Sequence, residues 1–164
     1  MLNKYEQSAK KSGARIVHSC GFDSIPSDLG VYFTQQQAKQ SQGEYCQNIK
    51  MRVKAAKGGA SGGTVASMVN ITKEAAKNPV LRKQLANPYL ICPSEAGYSA
   101  RQFNTNKPTW DEAFSAWTAP FVMAGINTRI VFRSNALADS EYGTDFTYDE
   151  AMVMGKDWKG CLGA

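Results

Sequence analysis

The sequence has no long apolar run. Its longest stretch free of Asp, Glu, Lys and Arg covers residues 113–128, which include Pro120 and several polar side chains. A membrane-spanning helix needs roughly 20 predominantly apolar residues, so we expect no transmembrane segment. The beginning, MLNKYEQSAKK, also lacks the apolar core of a signal peptide. These two absences predict a cytoplasmic location, at most peripheral to a membrane.

Cysteine is scarce and widely spaced. No C-x-x-C pair or zinc-ligand spacing occurs, which argues against a metal site built from thiolates. A chain of 164 residues does not need disulfides to hold a core. We therefore predict free thiols and no bound metal. The cysteines are Cys20, Cys46, Cys92 and Cys161.

Charged residues make up only 20% of the chain and aromatic residues 10%, a balance that excludes a disordered chain. The net charge of +5 arises from residues 1–110, because residues 111–164 carry an acidic excess. The basic part is diluted by Gln, Ser and Gly, whereas nucleic-acid surfaces cluster Lys and Arg beside stacking aromatics. We predict no nucleic-acid partner.

Nucleotide-binding motifs are also missing. No G-x-G-x-x-G follows a predicted strand, so the chain has no complete dinucleotide site. The segment KGGASGGT, residues 57–64, resembles a phosphate cradle at the start of a helix. It lacks the G-K-[ST] ending of a P-loop, which favours the alternative that its glycines let a helix pack closely against a sheet.

The first 40 residues follow an α/β pattern. Residues 2–12 are predicted helical, and Ala14–Cys20 read as a short buried parallel strand because Ile16 and Val17 are adjacent and apolar. After the turn GFDS, apolar residues recur every four positions at Ile25, Leu29 and Phe33. This spacing predicts a helix with that stripe facing the core.

From residue 49 the pattern changes. Ile49, Met51, Val53 and Ala55 alternate with Lys50, Arg52 and Lys54, which predicts an antiparallel strand with one wet face. Those basic side chains could lie across from Asp149 and Glu150 on a second strand, residues 146–155. Helices are predicted around Val65–Thr72, after Asn78–Pro79 and around Ile126–Leu137, and residues 93–109 are predicted to form a loop. The predicted fold is α+β, with a mixed, largely antiparallel sheet and helices on one face.

The segment HSCGFDSIPSDLG carries the most chemistry. Gly21 permits a close backbone approach, and Asp23 or Ser24 can cap the following helix. Ligands in open α/β sheets bind beyond the carboxyl ends of strands, so this turn is either a crevice wall or only a tight capped turn. His18 and Cys20 share a strand face, but a buried structural histidine explains them better than a nucleophile pair.

At HSCGFDSIPSDLG, GGASGGTVASM, PFVMAGINTRIVFRSNAL and FTYDEAMVMG, the sequence resembles the saccharopine dehydrogenase-like oxidoreductases, and among them the trans-acting enoyl reductase-like proteins. The resemblance implies a Rossmann-like remnant at residues 1–40, an α+β domain for substrate binding and dimerisation at residues 41–164, and a nucleotide-binding half outside this chain. It implies NAD(P) as cofactor of the full-length parent, with none expected for this chain alone.

Carried over by position, the resemblance assigns Gly21, Phe22, Asp23 and Ser24 to the edge of the nicotinamide crevice. It assigns Asn127, Arg129 and Arg133 to the substrate side or to structure, and it identifies no catalytic acid or base. The parent reaction would reduce a C=C or C=N bond of an organic or lipid-linked substrate.

Two further hypotheses remain open at this point. The chain could be a non-catalytic homodimerisation module with exposed apolar surface around Phe121, Val122 and Met123. It could also bind anionic membranes through Lys50, Arg52 and Lys54.

Overall fold

A computed structural model describes residues 2–22, 24–55 and 62–157. In this part of the chain the helices and strands alternate irregularly, and one short 3₁₀ turn covers Ser94–Ala96. The helices are α1 Leu2–Ser12, α2 Ile25–Gln42, α3 Gly62–Lys77, α4 Pro79–Ala86 and α5 Ala124–Leu137. The strands are β1 Asn48–Val53, β2 Thr109–Asp111, β3 Ala116–Pro120 and β4 Thr147–Gly155.

The four strands of the described residues form one sheet in the order β1-β4-β3-β2. β1 pairs with β4 in parallel, and the other two pairings are antiparallel, which confirms the predicted α+β fold with a mixed, largely antiparallel sheet. The direction predicted for β1 is wrong. Alternation along a strand reports that one face is more buried than the other, and it does not fix the direction of the neighbouring strand.

An aromatic core covers β4. α5 packs against β4, and α2 packs against α5. The rings of Phe132 and Phe146 are both fully buried and meet edge to face, with centroids 6.3 Å apart. The remaining buried members of this cluster are Val31, Val131, Tyr142 and Tyr148.

α2 forms where predicted but buries a different face. Leu29 and Phe33 are 58% and 65% exposed, whereas Val31 and Gln35 are buried. Gln35 turns this face inward because its amide donates to the Cys46 carbonyl at 2.8 Å and accepts from the Cys46 N–H at 2.7 Å. The helix ends at Gly43, whose φ of 82° lies in the left-handed region that glycine adopts without strain.

α5 forms where predicted, but the apolar residues at its two ends do not mark its buried face. Ile126 and Leu137 are 48% and 62% exposed, and the buried side includes Asn127 and Asn135. Asn135 accepts from the Tyr142 N–H at 3.0 Å and donates to the Gly143 carbonyl at 3.1 Å. The amide thereby holds the turn that leads from α5 into β4.

The predicted strand at Ala14–Cys20 does not form. These residues adopt neither helix nor strand and are exposed, including His18, which was predicted to be buried. Ile16 and Val17 are 62% and 77% exposed. A strand needs a hydrogen-bonded neighbour, and the sheet of the described residues does not extend to this segment.

Several local predictions are confirmed and two strands were missed. The Asn78 side chain caps α4 by accepting from the N–H groups of Val80 and Leu81, at 3.0 and 3.1 Å. Residues 93–108 form the predicted loop apart from its 3₁₀ turn, and β2 and β3 follow it. The predicted apolar positions of α3 are exposed on the part of the helix that is described, and residues 57–61 of the glycine-rich segment lie outside the described residues.

A buried ion cluster joins the sheet across three strands. Arg52 of β1 donates through Nε to Asp111 Oδ2 of β2 at 2.7 Å, and its Nη1 lies 2.7 Å from Asp149 Oδ2 of β4. The three side chains are 5–8% exposed. The predicted ion pairing between basic β1 and acidic β4 therefore exists, but it is formed by buried side chains and not by a solvent-exposed face of the sheet.

Candidate functional site

A buried hydrogen-bond network joins two segments that the sequence singled out separately. Ser24 Oγ, at the start of α2, donates to Asn127 Oδ1 of α5 at 2.9 Å. The Asn127 amide in turn donates to Ser27 Oγ at 3.1 Å and to Glu150 Oε2 of β4 at 3.0 Å. All four side chains are buried. The network fixes the end of the GFDS turn against the middle of the sheet.

Tyr148 extends this network along β4. Its hydroxyl donates to Glu150 Oε1 at 2.7 Å, because residues two apart on a strand share a face. Burial raises the pKa of Tyr148 well above its ordinary value, and the charge and hydrogen bond of Glu150 raise it further. The phenol therefore stays neutral and can act as a hydrogen-bond donor or acceptor at any physiological pH.

A cavity of about 200 Å³ lies beside this pair. Its wall mixes apolar side chains with a few polar ones, as small-molecule sites do. The apolar lining residues include Leu85, Pro88, Phe103, Ala124 and Phe132, and the polar ones include Gln102, Thr128, Arg129, Tyr148 and Glu150.

Gln102 holds the loop wall of the cavity in place. Its amide nitrogen donates to the Phe146 carbonyl at 3.0 Å and to the Tyr89 hydroxyl at 2.6 Å. Its amide oxygen accepts from the Tyr148 N–H at 3.2 Å. The loop before β2 is thus attached to the strand that carries Tyr148 and Glu150.

The two predicted arginines bind backbone carbonyls. Burial lowers the pKa of Arg129, whose guanidinium also lines the cavity. Arg133 lies one turn further along α5. The carbonyl partners are those of Leu85, Asn87 and Gly125 for Arg129, and that of Ile91 for Arg133. These contacts hold the end of α4 and the following turn, and the predicted substrate-side role of both residues stays a prediction.

The beginning of the GFDS turn is exposed to solvent in this structure. Phe22 is 88% exposed, and a Cβ added to Gly21 would meet no atom within 4 Å. Asp23 lies outside the described residues. Of the four predicted cofactor-side positions, Ser24 alone is shown to join the buried network.

One free thiol in the described part of the chain, that of Cys92, is kept neutral by burial. Burial raises the pKa of the Cys92 thiol to about 11 even though the Arg133 charge opposes the shift. Cys20 is exposed, and its Sγ lies 3.8 Å from the His18 carbonyl oxygen. Across residues 2–22, 24–55 and 62–157, no group of three or more His, Cys, Asp or Glu side chains is placed to hold a metal ion.

Comparison with known proteins identifies related sequences. A Mycobacterium tuberculosis protein provisionally named a trans-acting enoyl reductase is 41% identical to this chain over 94% of its length. The trans-acting enoyl reductases of Mycobacterium bovis and Mycobacterium ulcerans are 36% and 34% identical over 94% and 96% of the chain. The chain is similar to mycobacterial trans-acting enoyl reductases.

This similarity supports the enoyl-reductase-like part of the predicted resemblance. The names of these trans-acting enoyl reductases do not mention saccharopine dehydrogenase. The chain spans about two fifths of their length, 38–39%. No protein-family profile matches the sequence, and no solved structure gives a significant match.

Sequence reasoning missed Tyr148, Glu150 and Gln102 as site residues. The available signal was the carboxylate of Glu150, which lies four residues after Phe146 in a strand that is otherwise largely apolar. An acidic residue on the inner face of a strand must find buried hydrogen-bond donors, which marks it as unusual. In the block FTYDEAMVMG the sequence predicts only charge pairing for the acidic residues Asp149 and Glu150.

Proposed function

We propose that this chain forms the substrate-side part of an enoyl reductase, one that reduces the C=C bond of an organic, lipid-linked substrate with a hydride from NAD(P)H. The observation that carries the proposal is the similarity to trans-acting enoyl reductases over almost the whole chain. The buried network and its adjoining cavity support it, since they combine apolar walls with a small set of fixed polar groups.

The proposed division of labour separates substrate binding from cofactor binding. The sequence carries no G-x-G-x-x-G after a strand, so we propose that the nicotinamide is held by protein outside these residues. Ser24 connects the two parts, because it is the last residue of the GFDS turn and hydrogen-bonds Asn127 beside the cavity. We extend this to the domain organisation, with residues 1–40 belonging to a Rossmann-like unit and residues 41–164 to the substrate domain. α2 would attach the first to the second through its packing on α5.

A chimeric enzyme tests this function. The segment of the Mycobacterium bovis trans-acting enoyl reductase that this chain matches is replaced by this chain, and NADH or NADPH oxidation is followed with a crotonyl thioester. We expect the chimera to reduce the thioester. We expect Asn127→Leu to lower the rate about 100-fold, because losing the bonds to Ser24 and Glu150 displaces both walls of the site.

The control for this assay is Ile126→Ala, which alters an exposed neighbour on the same helix and should leave the rate unchanged. The unaltered mycobacterial enzyme is run in parallel. If that parent reduces the thioester and a well-folded chimera does not, the proposed function is wrong.

A second candidate is a homodimerisation module, which the exposed apolar face of α2 favours. Leu29, Tyr32 and Phe33 are 55–65% exposed, and Val122 in the predicted patch is 58% exposed. Faces of this kind often mark interfaces. Sedimentation across a concentration series should show a dimer that Phe33→Glu dissociates and that Lys39→Glu, on the same helix, leaves intact. A strict monomer at high concentration would remove this candidate.

One structural finding concerns membrane-spanning helices, and a separate one concerns the hypothesis of binding to anionic membranes. None of the helices in the described residues is long and apolar enough to cross a bilayer. Arg52 is one of the three basic residues predicted to bind an anionic membrane. Its side chain is 5% exposed and forms ion pairs with Asp111 and Asp149. The predicted Lys50–Arg52–Lys54 face is therefore wrong as a continuous basic surface.

A further inference from the structure

We propose that the cavity beside Tyr148 binds the unsaturated acyl head of the substrate and that the Tyr148 hydroxyl donates a hydrogen bond to its carbonyl oxygen. This inference rests on the proposed function, and it names the part of the substrate that this chain recognises and the residue that touches it.

The size of the cavity restricts its occupant. Its volume of about 200 Å³ is slightly larger than a protein cavity of about 150 Å³ that accommodates benzene. A four- to six-carbon acyl head is of that scale, whereas a dinucleotide or a whole lipid is far larger. The longer part of a lipid-linked substrate would leave past Phe103, a lining residue that is 71% exposed.

The polar groups of the cavity suit a neutral carbonyl. Gln102 uses both amide N–H groups on the Tyr89 hydroxyl and the Phe146 carbonyl, and Arg129 directs three of its N–H groups at backbone carbonyls. The Tyr148 hydroxyl donates to the Glu150 side chain and can rotate about the C–O bond. It is therefore a donor on this wall that a ligand can recruit without breaking a contact to the backbone.

Glu150 and a ligand would compete for the one proton of Tyr148. Asn127 continues to donate to Glu150 Oε2 when the phenol turns away, so the carboxylate keeps one partner. In the reduction of an α,β-unsaturated carbonyl, negative charge grows on the carbonyl oxygen, and a donor fixed in a buried site stabilises that charge. Glu150 and Asn127 act through Tyr148 and are positioning residues.

Binding to the chain can be measured without any reduction. Crotonamide, which has the C=C bond and the carbonyl, is titrated into the ¹⁵N-labelled chain and followed by amide chemical shifts. Crotyl alcohol, with the same carbon skeleton and no carbonyl, is the matched probe. We expect crotonamide to shift the amides of residues 102, 128 and 148, and crotyl alcohol to bind more weakly. Equal binding of both probes, or no shift at these residues, would overturn the proposal.

Variants test the competition directly. Tyr148→Phe should weaken crotonamide binding about five-fold, the effect of one lost neutral hydrogen bond, and leave crotyl alcohol unaffected. Tyr142→Phe makes the same chemical change in a buried tyrosine that does not line this cavity and should alter neither. Glu150→Gln should retain or strengthen crotonamide binding, because a neutral amide competes less for the phenol proton. Weaker binding in Glu150→Gln than in Tyr148→Phe would contradict the assigned roles.

The chimeric enzyme separates this inference from the proposed function. We expect Tyr148→Phe in the chimera to lower kcat about 100-fold, as the loss of a donor to a developing oxyanion does. An active chimera in which Tyr148→Phe changes neither kcat nor KM would overturn the inference and leave the function standing. A chimera without activity, together with crotonamide binding that depends on Tyr148, would overturn the proposed function and leave the inferred binding site standing.

Discussion

Arg52→Met is expected to lower the free energy of unfolding by about 3–5 kcal/mol, the range observed when one partner of a buried ion pair is removed. Arg52 Nη2 lies 2.6 Å from Asp111 Oδ2, and Nη1 lies 2.7 Å from Asp149 Oδ2. All three side chains are almost completely buried. Methionine retains the apolar volume of the side chain, so the loss reports two carboxylates that no longer have their buried cation, with the half-exposed Lys50 remaining near Asp111. Urea denaturation at pH 7 measures it.

The pH dependence of this effect has a definite sign. Burial pushes the pKa of Asp111 upward, but the hydrogen bond and charge of Arg52, assisted by Lys50, hold it below its ordinary value. The contribution of Asp111 to stability is therefore complete above the ordinary aspartate pKa and is lost as the pH falls through the lowered value. In Arg52→Met burial is no longer opposed by Arg52 and raises the Asp111 pKa, so the carboxyl takes up a proton as the pH falls from 7 to 4. Acidification over that range should therefore reduce the difference between wild type and variant.

Lys50→Met is the matched control. Lys50 Nζ lies 3.7 Å from Asp111, but its side chain is 38% exposed, so the pair is screened and its removal should cost at most about 1 kcal/mol. Equal losses in the two variants, or a difference between Arg52→Met and wild type that grows on acidification, would show that the cluster is not a buried ion pair.

The positions of most helices could be predicted from local chemistry, but their buried faces could not. Asn78 and Pro79 start α4, and Gly43 ends α2, through contacts within a few residues. The buried face of α2 instead carries Gln35, which bonds Cys46, and Ser27, whose hydrogen-bond partner Asn127 is 100 positions away along the chain. A polar residue with a remote partner cannot be recognised as buried from periodicity, which counts apolar residues only.

The candidate site, like the helices, could be predicted only in part. Ser24 and Asn127 could each be selected from the resemblance, but nothing in the sequence indicates that they are in contact. Glu150 was predicted to face basic residues of β1, and its register partner is in fact Met51. Its side chain lies on the opposite face from Arg52, with Asn127 and Tyr148. The two strands are about 100 residues apart in the chain, so no hairpin turn between them fixes their register.

Phe132→Ala is expected to lower the free energy of unfolding by about 3–5 kcal/mol, and it tests which face of α5 holds the fold together. Phe132 is fully buried, with its ring 5.2 Å from that of Tyr89 and 6.3 Å from that of Phe146. Leu137→Ala is the control on the stripe that periodicity favoured, and because Leu137 is 62% exposed it should cost less than about 0.5 kcal/mol. Urea unfolding with unchanged m-values would measure both. A loss in Leu137→Ala as large as that in Phe132→Ala would mean that the helix is rotated and that Asn127 does not face Glu150, because one rotation of α5 sets both contacts.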